Sequence, residues 1–213
     1  MAVNRIVNFL QAKSPPRAGG ANLSPLSANG RKRLLGQVLA CNGGNKGWRG
    51  WKAAAVTSLM EMTDKSPRMS LMGLDLRGEL NVIYRIEMPV PRTPVDGELQ
   101  IGTEAVFHLR YAEEWRSGSP EGWLPLGLMH PQDPFHPNAR PSLRGAICLG
   151  DLPPGIPPTE IVLLGYYTLS LQDLMLDEAD PNGVLNAKAC DYFRENSRYI
   201  PLTDAGLYEP LDS

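Results

Sequence analysis

The chain has 213 residues, 42% of them hydrophobic, and a formal net charge of −2 at pH 7. This apolar content is enough for the core of one domain, while the small net charge offers no field that would attract nucleic acid or an acidic membrane surface. No segment reaches the roughly 18–20 uninterrupted apolar residues of a membrane-spanning helix. For these reasons we expect no nucleic-acid or membrane partner. The odd, sparse set of three cysteines favours free thiols in a reducing compartment, so we expect a cytoplasmic protein.

Residues 1–30 predict an extension or linker that precedes a single domain over residues 31–213. Residues 13–20 read Lys-Ser-Pro-Pro-Arg-Ala-Gly-Gly, a composition that can bury little and shows no period. Within the domain, leucine and valine at spacings of three and four predict a helix over residues 31–40. A break rich in glycine and asparagine separates it from a second predicted helix over residues 51–62.

Four segments then predict β-strands. Residues 80–88 alternate apolar and polar side chains, and so do residues 105–111, a pattern typical of strands with one buried face. Residues 71–76 predict a strand before them, and residues 123–129 predict a fourth strand. Short strands in series indicate an antiparallel meander.

A proline-rich stretch follows the strands. Ten of the 20 prolines lie between Pro120 and Pro158, yet the same stretch holds apolar residues that require burial, so we expect a long ordered loop. Residues 161–175 predict a central helix, and residues 187–196 predict a last amphipathic helix. The expected fold class is therefore α+β, a four-stranded antiparallel meander flanked by helices.

The candidate chemistry lies in this loop, where the asparagine of His136-Pro137-Asn138 stands ten residues before Cys148. A cysteine thiolate is a good nucleophile, and its thioester is a reactive acyl carrier. When an amine attacks that thioester, the neutral side-chain N–H of Asn138 can stabilise the charge that develops on the carbonyl oxygen. Pro137 fixes the backbone before it, and His136 can hydrogen-bond the loop and set the turn.

Each of these residues also has a purely structural interpretation. Free cysteine is often part of a core, and Cys148 has apolar neighbours in the sequence. Histidine and asparagine are also at home in ordinary turns. A metal site formed by His130, Asp133 and His136 with Cys148 is a further alternative. The spacing matches no strong metal signature, so we expect neither a metal nor an organic cofactor.

From about residue 70 to about residue 200, the chain resembles a ubiquitin-conjugating enzyme. In that family, a four-strand meander leads into His-Pro-Asn. A catalytic cysteine in a Gly-x-Ile-Cys-Leu context, a central helix, an acidic turn with proline and asparagine, and a final helix follow. The corresponding parts occur here in the same order, at residues 136–138, 145–149, 161–175, 180–186 and 189–199. The resemblance implies a transferase with the ubiquitin-conjugating fold.

The resemblance carries over to individual residues of the catalytic segment. It implies that Cys148 is the nucleophile that forms the thioester. It also implies that Asn138 is the residue that stabilises the oxyanion and organises the loop. His136 and Pro137 resemble the structural pair of the family motif, so His136 is expected to support the site rather than to act as a general base.

The family often places an acidic residue near the incoming lysine, on the loop after the central helix. Asp180 is the candidate for that position, with Asn182 and Asp177 as alternatives, and turn capping is the structural interpretation. By the same resemblance, the partners are a ubiquitin-like modifier protein, an activating enzyme that delivers its C-terminal glycine, and a protein substrate. Residues 31–40 or residues 51–62 could form the helix that contacts the activating enzyme.

Three departures set the chain apart from common members of the family. Residues 113–120 replace a Tyr-Pro-x-x-Pro-Pro run. Residues 155–158 occupy the region of a tryptophan that commonly follows the cysteine. The loop between Asn138 and Cys148 is slightly longer. In this divergence the chain resembles members from bacterial operons that also encode a ubiquitin-like protein, an activating enzyme and a deubiquitinase-like protease. Such operons are associated with defence against phage.

Two functions from other classes are alternatives. A noncatalytic module on the same fold would hold a modifier or an activating enzyme without forming a thioester on Cys148. A cysteine hydrolase would use His130 or His136 as a general base, which requires an imidazole within hydrogen-bond reach of the sulfur.

Overall fold

The structure of the protein, a computed structural model, describes residues 29–30, 33, 36, 46–118, 124–140, 145–176 and 184–210. The predicted extension over residues 1–30 thus lies outside the described residues except at its last two positions. Of the helix predicted over residues 31–40, Arg33 and Gly36 are described, and both are helical.

Among the residues described between 46 and 195, the regular structure consists of one antiparallel sheet and three α-helices. In chain order the elements are α1 (Lys46–Lys65), β1 (Met69–Asp75), β2 (Leu80–Val95), β3 (Glu98–Tyr111), β4 (Leu126–His130), β5 (Ala139–Arg140), β6 (Ala146–Ile147), α2 (Pro158–Leu169) and α3 (Ala187–Glu195). Short 3₁₀ turns occur at Glu113–Arg116 and Ser197–Tyr199. Within the described ranges, no helix is long and apolar enough to cross a membrane.

The sheet has six strands in the order β1-β2-β3-β4-β6-β5, and each neighbouring pair is antiparallel. The predicted α+β class with an antiparallel sheet is confirmed. The predicted number of four strands is wrong, because β5 and β6 extend the meander beyond β4. Each of these two strands has two residues, which is too short to display the alternation that identifies a strand in a sequence.

The alternating pattern of β2 and β3 corresponds to one buried face of the sheet. Tyr84 pairs with Phe107 and Val82 pairs with Leu109 across the ladder, and all four residues have 0% exposure. Helices α1 and α2 pack against each other, and α2 also contacts β2 and β3. The main core therefore lies between the sheet and these two helices.

Helix α1 begins at Lys46, inside the segment that predicted a break. Trp48 Nε1 donates to Gly78 O at 3.0 Å, and Lys52 Nζ donates to Leu76 O at 2.7 Å and to Gly78 O at 2.9 Å. These carbonyls belong to the turn between β1 and β2, so the bonds satisfy a buried ammonium and dock the helix at once. This tertiary docking outweighs the low helix propensity of glycine near the helix start.

Helix α2 ends at Leu169 and not at residue 175, as predicted. Leu171 has a left-handed backbone with a φ of 61°, and this conformation ends a helix although no glycine marks the position. Leu171 and Leu174 pack in a second apolar cluster with Phe193 of α3. These two leucines therefore belong to this cluster and do not extend the helix.

Two segments that depart from the ubiquitin-conjugating pattern contact each other. Trp115, in the first 3₁₀ turn, is 1% exposed and packs edge-on against Tyr111 with ring centroids 5.8 Å apart. Its carbonyl accepts the backbone N–H of Gly155 at 3.0 Å. The segment that connects Cys148 with α2 is thereby attached to the core through Trp115.

Candidate active site

A short hairpin brings the asparagine of the motif to the cysteine. β5 starts directly after Asn138 and β6 ends directly before Cys148, and the two strands pair Ala139 with Ile147. The backbone N–H of Cys148 donates to Asn138 O at 2.8 Å, which continues the same register. The ten-residue spacing in the sequence therefore becomes a direct juxtaposition of Asn138 and Cys148 across an antiparallel ladder.

The position of Cys148 is fixed by close contacts between β6 and β4. Gly127 pairs with Ala146, and the N–H of Leu128 donates to Gly145 O at 2.9 Å. Gly145 has a φ of +72°, and a Cβ atom at this residue would lie 2.8 Å from Leu128 O. Only glycine satisfies both conditions, so the backbone that leads to the cysteine runs unusually close to β4.

The two described cysteines differ in accessibility. Cys148 is half-buried, whereas Cys190 of α3 has 0% exposure. Cys190 is therefore a thiol of the core. Cys148 is less buried than Cys190, so its thiol meets the accessibility that a reactive cysteine requires.

His136 is a buried, neutral member of the loop. Its Nε2 donates to Thr168 O at 2.7 Å, and its Nδ1 accepts the backbone N–H of Asn138 at 3.0 Å. Both ring nitrogens are thus engaged with backbone groups. Burial lowers the pKa of His136 from its ordinary value of 6.5 to about 4, although the bond to Thr168 opposes this shift. His136 therefore orients the loop and cannot serve as the base of a cysteine hydrolase.

The carboxamide of Asn138 makes two hydrogen bonds with the backbone of Met175, which together are called the clasp. Asn138 Oδ1 accepts the N–H of Met175 at 3.3 Å, and Nδ2 donates to Met175 O at 3.5 Å. Asn138 is 4% exposed. Because a planar amide held at both ends cannot rotate, this pair of contacts fixes the direction of both N–H bonds of the carboxamide.

The motif is also bound to the start of α3. The carbonyl of Pro137 accepts the backbone N–H of Leu185 at 2.8 Å and of Asn186 at 3.0 Å. Asn186 is the N-cap of α3, and its Oδ1 accepts the N–H of Ala189 at 3.3 Å. His136, Pro137 and Asn138 are thus bound, respectively, to α2, to the α3 cap and to the segment after α2.

The remaining predicted site residues are described only in part. Asp180 and its alternatives, Asn182 and Asp177, lie outside the described residues. His130 is exposed at the end of β4, so the hydrolase alternative depends on that residue alone. Among the residues that the structure describes, no group of three or more His, Cys, Asp or Glu side chains is placed to hold a metal ion.

The sequence reasoning did not identify Thr168, Met175 and Leu185 as parts of the site. All three contact the motif through main-chain atoms, and a main-chain contact leaves no signature in the identity of the side chain. Asn186 could have been found, because an asparagine directly before a predicted amphipathic helix is a typical N-cap.

Comparison with known proteins adds no relative to this description. No protein-family model matches the chain, and no curated protein sequence or solved structure matches it.

Proposed function

We propose that the protein is a conjugating enzyme for a ubiquitin-like modifier, with the ubiquitin-conjugating fold. Cys148 accepts the C-terminal glycine of the modifier from an activating enzyme as a thioester and passes it to a lysine amine of a protein substrate. The observation that carries this proposal is the β5–β6 hairpin, which sets Asn138 of a His-Pro-Asn motif opposite a half-buried Cys148.

In the loading step, the Cys148 thiolate attacks the carbonyl carbon of the incoming thioester. A bond forms between Sγ and that carbon, the bond to the donor sulfur breaks, and the donor leaves as a thiolate that takes up a proton from water. One thioester replaces another, so the step needs no imidazole base. The neutral state of His136, with both nitrogens bonded within the loop, is compatible with this chemistry.

In the transfer step, the lysine nitrogen attacks the acyl carbon on Cys148. The C–N bond forms, the C–S bond breaks with Cys148 leaving as a thiolate, and the proton of the amine passes to solvent. Negative charge gathers on the carbonyl oxygen before the C–S bond breaks. An N–H of the Asn138 carboxamide, fixed in direction by Met175, stabilises that charge. Asp180 is proposed to be the acidic residue near the incoming lysine.

A chase experiment tests the role of Asn138 without a cognate partner. The full chain is loaded with the mercaptoethanesulfonate thioester of acetyl-glycylglycine, excess probe is removed, and the loaded protein is mixed with free lysine. We expect Asn138→Ala to load at the wild-type rate and to transfer the acyl group about 10²-fold more slowly, because it lacks one oxyanion donor. Intact-mass spectrometry follows both steps.

The matched control is Asn196→Ala. Asn196 Nδ2 donates to Tyr192 O at 2.9 Å at the far end of α3. Loss of this carboxamide should change neither loading nor transfer. Transfer by Asn138→Ala at the wild-type rate would remove the oxyanion role. Failure of the wild-type protein to load would favour the noncatalytic binding module.

A further inference from the structure

The backbone segment that clasps Asn138 is itself held by two side chains of α3. Met175 makes the clasp, and the carbonyl of the next residue, Leu176, accepts hydrogen bonds from Cys190 Sγ at 3.0 Å and from Arg194 Nη2. Cys190 and Arg194 stand four residues apart on the helix, so they share one face. Two donors therefore converge on the carbonyl that follows the clasping residue.

The two donors contribute unequally. The guanidinium of Arg194 makes a charge-assisted hydrogen bond, which is stronger than the bond of a neutral thiol donor. The Arg194 side chain is 43% exposed and also lies 3.6 Å from Asp191 Oδ1, so solvent weakens its contribution. Cys190 has 0% exposure, which shields its weaker bond from water. Arg194 is the main support of the Leu176 carbonyl, and Cys190 assists it.

Helix α3 also contacts the loop that carries the His-Pro-Asn motif. Its N-cap, Asn186, donates a backbone N–H to Pro137 O at 3.0 Å, and Phe193 has 0% exposure. The ring of Phe193 lies 6.0 Å from that of Phe135, directly before the motif. The helix is thus fixed to the loop that carries His-Pro-Asn, and Arg194 extends this connection to the segment at residues 175–176.

We propose that Arg194, assisted by Cys190, is a positioning residue for Asn138. The bond from Arg194 holds the Leu176 carbonyl, and the neighbouring Met175 backbone holds the carboxamide. The carboxamide directs its second N–H, not the one that donates to Met175 O, toward the acyl oxygen on Cys148. Only the last step rests on the proposed function; the first two are properties of the folded chain. Arg194 accordingly controls the rate of transfer to an amine and does not control loading.

The structural part is tested by nuclear magnetic resonance on the labelled full chain. The readout is hydrogen exchange of the Met175 amide, whose N–H is bonded to Asn138 Oδ1 at 3.3 Å. We expect Arg194→Ala to speed this exchange about tenfold, since a hydrogen bond to a charged group is lost. Arg194→Lys should keep most of the protection. The matched control, Arg198→Ala, removes an arginine bonded to Glu98 at 2.9 Å and should change nothing at Met175.

A second pair of variants gives an independent result if Arg194→Ala disturbs the fold. Cys190→Ser retains a donor for Leu176 O, whereas Cys190→Ala loses it. We expect the serine variant to protect the Met175 amide better than the alanine variant. Equal exchange at Met175 in Arg194→Ala and in the wild-type protein would overturn the proposal, as would equal exchange in the two Cys190 variants.

The functional part is tested by the lysine chase with the acetyl-glycylglycine thioester. Arg194→Ala should load normally and transfer several-fold more slowly, and it should cause no further loss in an Asn138→Ala background, because both changes remove one interaction. An equal loss in both backgrounds would show that Arg194 acts independently of Asn138 and would overturn the proposal. If the wild-type protein does not load, the proposed function fails, while the Met175 exchange still decides the positioning role.

Discussion

His136 stabilises the site as a neutral residue. Its imidazole has 0% exposure, donates to Thr168 O at 2.7 Å and accepts from the Asn138 N–H at 3.0 Å. A protonated ring would carry a buried charge and would lose its acceptor for Asn138. The histidine of the motif therefore supports the loop only while it is deprotonated.

Protonation of His136 should destabilise the fold. Its pKa of about 4 in the folded protein lies below the ordinary value of 6.5, so the unfolded chain binds the proton more readily. The stabilisation is complete above pH 6.5 and is lost as the pH falls from 6.5 to 4. We expect roughly 3 kcal/mol of unfolding free energy to be lost over this window.

Urea unfolding at a series of pH values measures this loss, with His136→Gln as the comparison because glutamine does not titrate. The difference between the two proteins isolates His136 from the carboxylates that titrate in the same range. Parallel curves for wild-type and His136→Gln between pH 7 and pH 4 would contradict the account.

At the scale of elements, the β5–β6 hairpin is the unit that creates the site. It converts two separated sequence segments into neighbours, and its β6 strand is held against β4 at Gly145. Gly145 combines a φ of +72° with the absence of room for a Cβ atom. Gly150 has a nearly identical φ of +73° but has nothing within 4 Å of a Cβ atom.

These two glycines form a matched pair for measuring the close approach. Gly150→Ala should lower the free energy of unfolding by about 1–2 kcal/mol through its left-handed backbone alone. Gly145→Ala should cost at least about 1 kcal/mol more, because its methyl group would overlap the backbone of β4. Urea unfolding of both variants decides this, and equal losses would mean that β6 has room to shift away from β4.

Element type was predictable where a period extends over many residues. The alternation over residues 80–88 and 105–111 predicted β2 and β3, because each strand buries one face against the helices. β5 and β6 were missed because two residues cannot show a period, and their pairing depends on the path of the loop. The end of α2 was missed because Leu171 adopts a left-handed backbone without the glycine that usually marks it.

At the scale of the whole molecule, residues 205–207 are hydrogen-bonded to the connection between α1 and β1 and to α2. Ser66 Oγ donates to Leu207 O at 2.7 Å, Arg68 Nη2 donates to Gly206 O, and Tyr166 Oη donates to Ala205 O at 2.5 Å. The sequence predicted no structure for this segment, because it has no period and because it accepts these bonds through its own backbone carbonyls, whatever its side chains are. Its docking depends on the assembled helices and not on local sequence.

The candidate site was predictable to the extent that it consists of side chains with their own chemistry. Cys148, Asn138 and His136 were proposed from residue type and spacing together with the resemblance to ubiquitin-conjugating enzymes. Met175 and Arg194 were not, because their contribution depends on how the segment after α2 lies against α3, which only the folded chain defines.

The central claim is that Cys148 carries an acyl group as a thioester and delivers it to an amine. The most direct measurement is the intact mass of the full chain after incubation with the acetyl-glycylglycine thioester, before and after addition of a thiol or free lysine. We predict a single adduct that either reagent removes. It should persist in Cys41→Ser, which removes another of the three cysteines of the chain, and it should be absent from Cys148→Ala. An adduct of equal amount in Cys148→Ala, or conversion of the probe to free acid rather than to lysine amide, would contradict the account.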